Sequence, residues 1–268
     1  MDNCFMYSRV VLLLVSSVLL AQSPSRPTFD EFEVATIKPA PPDLPGRYIR
    51  MQSAHQLEAR NHTVRTLIAA AFNVSPQAIF GGPAWAGEDH YQIIAKTPGE
   101  AKPNLEQQMA MLRRLLTDRF HLQFRREARE LPIYALTVAK SGSKLKETTI
   151  VPESIPQGPP PLIFVISPQG ASLPARYATM EDFASVLQRA AMKRPVVDQT
   201  GLSGRYDFDL KWLPDETQFE FKGPWEQGNS DWPDLSTALQ QQLGLKLEAT
   251  RGPVSVFIID SVEHPTEN

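Results

Sequence analysis

Cysteine is all but missing from this chain. Among 268 residues there is one, Cys4, close to the N-terminus. No intramolecular disulfide can form, and the rest of the chain has no thiolate to ligate a metal or attack a substrate. Glycine is also scarce, 14 residues against 24 prolines. The connections should therefore be rigid and extended rather than flexible. Neither sign of charge is in excess. A formal net charge of −3 gives no global field to draw in nucleic acid or an anionic membrane. The familiar catalytic signatures are missing too: no H-E-x-x-H zinc helix, no G-x-S-x-G elbow, no P-loop and no G-x-G-x-x-G turn. "VVDQTG" at Val196 is not an aspartic-protease turn, because Gln199 breaks the motif and no second turn supplies the partner carboxylate.

The apolar run Val10–Leu20 is about 11 residues, short of the ~20 that span a bilayer. Arg9 precedes it, Ala21 follows, and Pro24 and Pro27 come at once. That order reads as a signal peptide over residues 1–21, leaving a cysteine-free exported chain with no integral membrane segment. The whole chain has the 42% hydrophobic and 21% charged balance of a globular protein.

What is present is a phrase written twice. "LEARNHTVRTLI" from Leu57 returns as "LPARYATMEDFA" from Leu173, an offset of 116 residues. In each, a threonine, Thr63 or Thr179, stands as N-cap before an apolar stripe at helical spacing. The strand-like "DHYQIIAK" and "GRYDFDLK" follow, with Tyr91 and Tyr206 offset by 115. Then come a second helix in each ("LEQQMAMLRRLLTDRF", "DLSTALQQQL"), a short strand ("FHLQF", "LGLKL"), a charged turn ("RREARELP", "EATRGP") and a last strand. The expectation is a two-lobed α+β fold of two pseudo-symmetric helix–strand–helix–strand–strand repeats with mostly antiparallel sheets. The first, with an N-terminal strand that stops at Pro39, spans 28–148, and the second spans 173–268. A Pro-rich linker over 149–172 carries one strand near Leu162–Ile166.

Candidate site residues are few. Trp225 and Trp232 lie in a polar loop, either as binding contacts or as pins to the core. Asp198, Asp207 and Asp209 cluster beside Arg205, and either face solvent with basic partners or serve as acid and base. Arg60 and Arg176 recur just before the caps and read as buried structural anchors, together with Thr63 and Thr179. None of the five histidines has a counterpart in the other copy, and no set has metal-ligand spacing. His121 alternates outward in "FHLQF" as a solvated strand residue.

"FEVATIKP", "GGPAW" before "YQIIAK", "LLTDRFHLQFRREARELPIYALTVAKSGSKL", "PVVDQTGLSGRYDFDLKW" and "TALQQQLGLKLEATRGPVSVFIIDSVEHPTEN" together resemble the soil-associated exported protein family of unknown function, abundant in acidobacteria. The resemblance covers nearly all of the chain after the leader. Related domains are attached to membrane metallopeptidases of the beta-lactam-sensor type, which implies extracytoplasmic sensing or binding. The peptidase helices are not in this chain, so no protease activity is implied. "LSTALQQQLGLKLEATRGPVSVFIID" is also similar to the short N-terminal modules of secretins and TonB-dependent receptors, a fold-level analogy. The expected function is a non-enzymatic binding or protein-interaction module, periplasmic or secreted, with an envelope protein partner and no cofactor, metal or nucleic acid. The alternative is an envelope hydrolase using carboxylates near Asp198 and Asp207.

Overall fold

The computed structural model describes residues 29–41, 44, 46–150, 161–219, 223–225 and 230–266. The expected leader and the Pro-rich part of the linker lie outside them. The fold is α+β with mostly antiparallel sheets.

In the N-terminal half, β1 (Val34–Ala40), β2 (Tyr48–Ser53), β3 (Gln56–Thr63) and β5 (His90–Lys96) form an antiparallel sheet ordered β1-β5-β3-β2. β1 runs through Pro39, where the sequence suggested a stop. It is an edge strand, and an edge tolerates the missing N–H. The β2–β3 hairpin is a strand more than the sequence disclosed. α1 (Val64–Ala71) buries Val64, Leu67, Ile68, Ala69 and Ala71, the expected stripe, and Thr63 caps it by accepting from the Thr66 N–H at 3.2 Å. α2 (Trp85–Glu88) is one turn. α3 (Leu105–Phe120) opens on an Asn104–Gln107 capping box and buries Met111, Leu112, Leu115, Leu116 and Phe120. It closes on His121, left-handed at φ 50° and exposed. His121 therefore caps a helix and is not a strand residue.

In the C-terminal half, β7 (Lys146–Glu147), β8 (Val165–Ser167), β9 (Gly170–Ala178) and β11 (Tyr206–Trp212) form a sheet ordered β7-β11-β9-β8. α4 (Met180–Val186) starts at Thr179, which forms a capping box with Asp182, and winds on as a π-helical turn over Leu187–Ala191. α5 (Leu235–Ala238) continues the same way over Leu239–Leu243.

One expectation fails. "RREARELP" and "EATRGP" are not turns. Each lies inside one unbroken strand, β6 (Gln123–Val138) and β12 (Leu245–Ser261). The two pair antiparallel along their whole length, from Leu245–Val138 to Ser261–Gln123. β10 (Val196–Asp198) adds parallel to β6 at Tyr134–Leu136, and β4 (Ile79–Gly81) adds parallel to β12 at Phe257–Ile259. The physical reason lies in what surrounds the middle of the ladder. Residues 125, 126 and 128–130 are exposed, so charge there is solvated and pairs locally, Arg125 with Asp260 and Arg129 with Glu127 at 2.8 Å. Pro132 and Pro253 sit where neither β10 nor β4 covers the outer edge, so the lack of an N–H is tolerated.

The long strands tie the halves together. Phe257, Ile259 and Val262 from the end of the chain pack into the N-terminal core with Leu67, Ile68, Leu112 and Phe120. Leu136 from β6 packs into the C-terminal core with Phe183, Leu210, Trp212 and Leu245. Each fully buried side chain of this kind contributes roughly 1.5–3 kcal/mol. Neither core is complete without a strand segment from the other half.

Candidate functional site

The repeated phrase builds a backbone device. Asn61 at φ 57° and Tyr177 at φ 45° each lie two residues before a capping threonine, in the left-handed region that non-glycine residues rarely adopt. Both fall at register shifts of their ladders, so each is a bulge that turns the strand into its helix. The two are held differently. Asn61 donates to the Leu44 carbonyl at 2.6 Å and bonds His90 Nδ1 at 2.6 Å. Tyr177 is clamped from outside: Asp207 Oδ1 accepts its N–H at 2.8 Å, and Arg205 donates to its carbonyl at 3.0 Å.

Arg205 and Asp207 thus meet, but on the backbone N–H and C=O of one residue. Asp198 accepts from the N–H and hydroxyl of Thr200 at 2.9 and 2.8 Å, closing its own turn. Arg176 donates to the carbonyls of Ala175 and Phe208 at 2.6 and 3.2 Å, and lies 3.5 Å from Asp209. Its side chain is half exposed, so it braces a strand pair from outside and is not the buried anchor expected. Arg60 is partly buried, and its charge helps hold the Glu58 carboxyl below its usual range. Burial would raise that carboxyl, but hydrogen bonds from Gln92, Gln52 and Tyr48, with Arg60, outweigh it. Trp225 packs against the C-terminal core with its ring 5.4 Å from Phe219. Trp232 lies half-buried over Gly170, with Lys211 5.8 Å above its ring.

His62, set aside on sequence grounds, is deeply buried. Its Nδ1 lies 3.1 Å from the Thr66 hydroxyl. Burial, with the nearby Arg47 charge, pushes it down to about 3, so it is neutral at ordinary pH.

The concavity that both halves share lies elsewhere, between them. A narrow hollow of ≈ 10 Å³, about the space of one water, is lined by Arg47 and Gln77 from the first half and by Gln188, Arg189, Lys193 and Phe219 from the second. A more open hollow of ≈ 250 Å³ shares Gln77 and Lys193 with it and adds Leu131, Pro132, Arg194 and Pro195. Together they form one cleft. One contact joins the halves beside it, Asn73 donating to the Ser185 hydroxyl at 3.0 Å, and within the second half Ser185 offers its carbonyl to Arg189 Nε at 3.2 Å. Lys193 Nζ donates to the Glu216 carbonyl at 3.0 Å, and Arg194 lies 5.4 Å over the Tyr134 ring. Among the described residues, every charged side chain lining either hollow is a cation. Asp198, Arg205, Asp207, Trp225 and Trp232 line neither.

Nothing in the sequence marks these residues. Arg47 and Arg189 are 142 positions apart, and only the crossed strands bring their elements together. "KRP" at Lys193 is visible but reads as a turn.

Among the described residues no three His, Cys, Asp or Glu side chains lie close enough to hold a metal ion, and no helix is long and apolar enough to cross a membrane. No curated protein and no solved structure matches the chain. One family model, described as a protein of unknown function, matches residues 65–262. That span opens inside α1 and closes just past β12, and it takes in Gln77, Gln188, Arg189 and Lys193 of the cleft. On that match the chain belongs to the DUF3738 family, proteins of unknown function.

Proposed function

We propose that this chain is a non-enzymatic binding module whose ligand sits in the cleft between its halves. The observation that carries the reading is the make-up of the walls: both halves contribute, and the charged groups are all basic. A jointly built concavity with convergent polar groups is the ordinary form of a binding site. What favours binding over hydrolysis is the employment of the carboxylates. Asp198 and Asp207 hold backbone groups, and neither lines the cleft.

Export to the cell envelope, periplasmic or secreted, belongs to the same reading. It is supported by Arg9, the short apolar run and Ala21. The soil-associated character rests on the resemblance alone, and the ligand is then an envelope component, a protein partner in the first instance. We infer also that the two halves are copies of one unit. The repeated phrase, the left-handed residue at the same place in each, and the exchange of β6 and β12 between the cores support this.

The test is retention of envelope components on immobilised protein, identified by mass spectrometry. Gln188→Trp, which fills the hollow, should lose the components that wild type retains. If the filled variant retains the same set, the cleft is not the seat.

A further inference from the structure

Among the described residues, the side-chain donors around the smaller hollow outnumber the acceptors. Gln77 has its carbonyl oxygen taken by the Ser75 hydroxyl at 2.8 Å. The Gln188 oxygen lies 3.4 Å from the Val196 N–H, its donor. Each carboxamide is therefore left with its NH₂ end, and both residues line the hollow. Lys193 and Arg189 add only donors. Among the described residues, no side chain of Asp or Glu lines the space to accept from them.

Arg189 is the centre of this imbalance. Its Nε donates to the Ser185 carbonyl at 3.2 Å, and among the described residues no bond to its terminal nitrogens accompanies that one. Burial pushes the guanidinium below its ordinary value, and Asp182 pulls it back. The Asp182 carboxylate offsets that charge only in part, because it is also held in the helix cap. One of its oxygens accepts from both the Thr179 N–H and hydroxyl, at 3.0 and 2.8 Å, in the helix cap. A partly desolvated cation with its fork open to a cavity is stabilised by an anion that accepts from the fork.

We propose that the smaller hollow, with room for about one water-sized atom, is an oxyanion seat that takes one oxygen of a carboxylate or phosphate group of the ligand, gripped by Arg189 while Lys193, Gln77 and Gln188 donate around it. The inference rests on the cleft being the binding site, and it names the chemistry of the group bound there. The adjoining hollow, with Leu131, Pro132 and Pro195, leaves room for the less polar body that carries the group.

The probes are inorganic phosphate and acetate, titrated separately by isothermal calorimetry into the full chain without its leader. At least one should bind saturably at a single site, with affinity on the order of millimolar or tighter. The anion that binds identifies phosphoryl or carboxylate as the preferred group. Arg189→Gln should weaken it by at least about tenfold, the loss of a charge-assisted pair. Arg189→Lys should weaken it less. Arg125→Gln, on the exposed stretch of β6, should leave affinity within about twofold. Should Arg189→Gln fail to fold, Gln77→Ala serves, because Gln77 is exposed and gives up only the bond from the Ser75 hydroxyl. It should weaken binding several-fold. Absence of saturable binding for both anions overturns the oxyanion seat, as does equal affinity in the Arg189→Gln and Gln77→Ala variants. The two readings fail separately. If Gln188→Trp loses the envelope components while neither anion binds wild type, the cleft stands and the oxyanion seat falls.

Discussion

Replacing His62 by leucine should remove a pH dependence that the wild-type chain must have. The imidazole is buried, and its pKa falls from 6.5 to about 3 in the fold. The neutral form is the folded form. As pH falls below 6.5, the unfolded chain takes up a proton at this site and the folded chain does not, so stability is lost. A tenfold change in proton affinity is worth about 1.36 kcal/mol, so the site contributes about 5 kcal/mol that is fully present above pH ~6.5 and gone below pH ~3. Between pH 7 and pH 5 the loss is about 2 kcal/mol. The depressed carboxyls, Glu33, Glu58, Glu127, Asp234 and Glu248, act below their ordinary values and so leave this window to the histidine. His62→Leu loses the bond to Thr66, which lowers stability at every pH, but Thr66 keeps its bond to the Thr63 carbonyl at 2.9 Å and the fold survives. Urea unfolding at pH 7 and pH 5 reads the difference directly. Wild type should lose about 2 kcal/mol more than His62→Leu over that interval. An equal loss in both proteins would mean that His62 is not buried as described.

Other positions give sharper local tests. Gly244 closes the turn before β12 at φ 67°, and a Cβ there would lie 2.1 Å from the Gly142 carbonyl oxygen. Gly244→Ala should therefore destabilise by about 2 kcal/mol or more in chemical denaturation. Asp207→Ala removes the acceptor of the Tyr177 N–H at a left-handed residue and should cost about 1–3 kcal/mol, with no change in anion affinity by calorimetry. Thr179→Ala removes the side-chain half of a capping box and should cost about 1 kcal/mol by the same denaturation assay.

The elements that sequence disclosed are those whose pattern is local. Thr63 and Thr179 announce their helices because a cap and an apolar stripe lie within one turn of each other. The alternation of β5 and β11 is likewise self-contained. β6 and β12 were hidden because their middles cross solvent between two cores, where charge and proline are allowed and an isolated segment reads as a turn. Only the partner strand, more than a hundred residues away, makes "RREARELP" a strand. The clamp on Tyr177 was half visible: Arg205 and Asp207 could be picked out, but not that their target is the backbone of Tyr177. The cleft was not visible at all. Its walls come from segments around residues 47, 77, 131, 190 and 219, and no one of them carries a motif.

The most direct measurement is an NMR titration of the full chain without its leader, following backbone amides and arginine Nε–Hε signals as inorganic phosphate or acetate is added. The cleft account predicts saturable shifts for Gln188–Lys193, for Gln77 and for the Arg189 Nε–Hε, with Arg125 and Arg176 unmoved. Shifts spread evenly over the surface arginines, or none at residues 188–193, would contradict it.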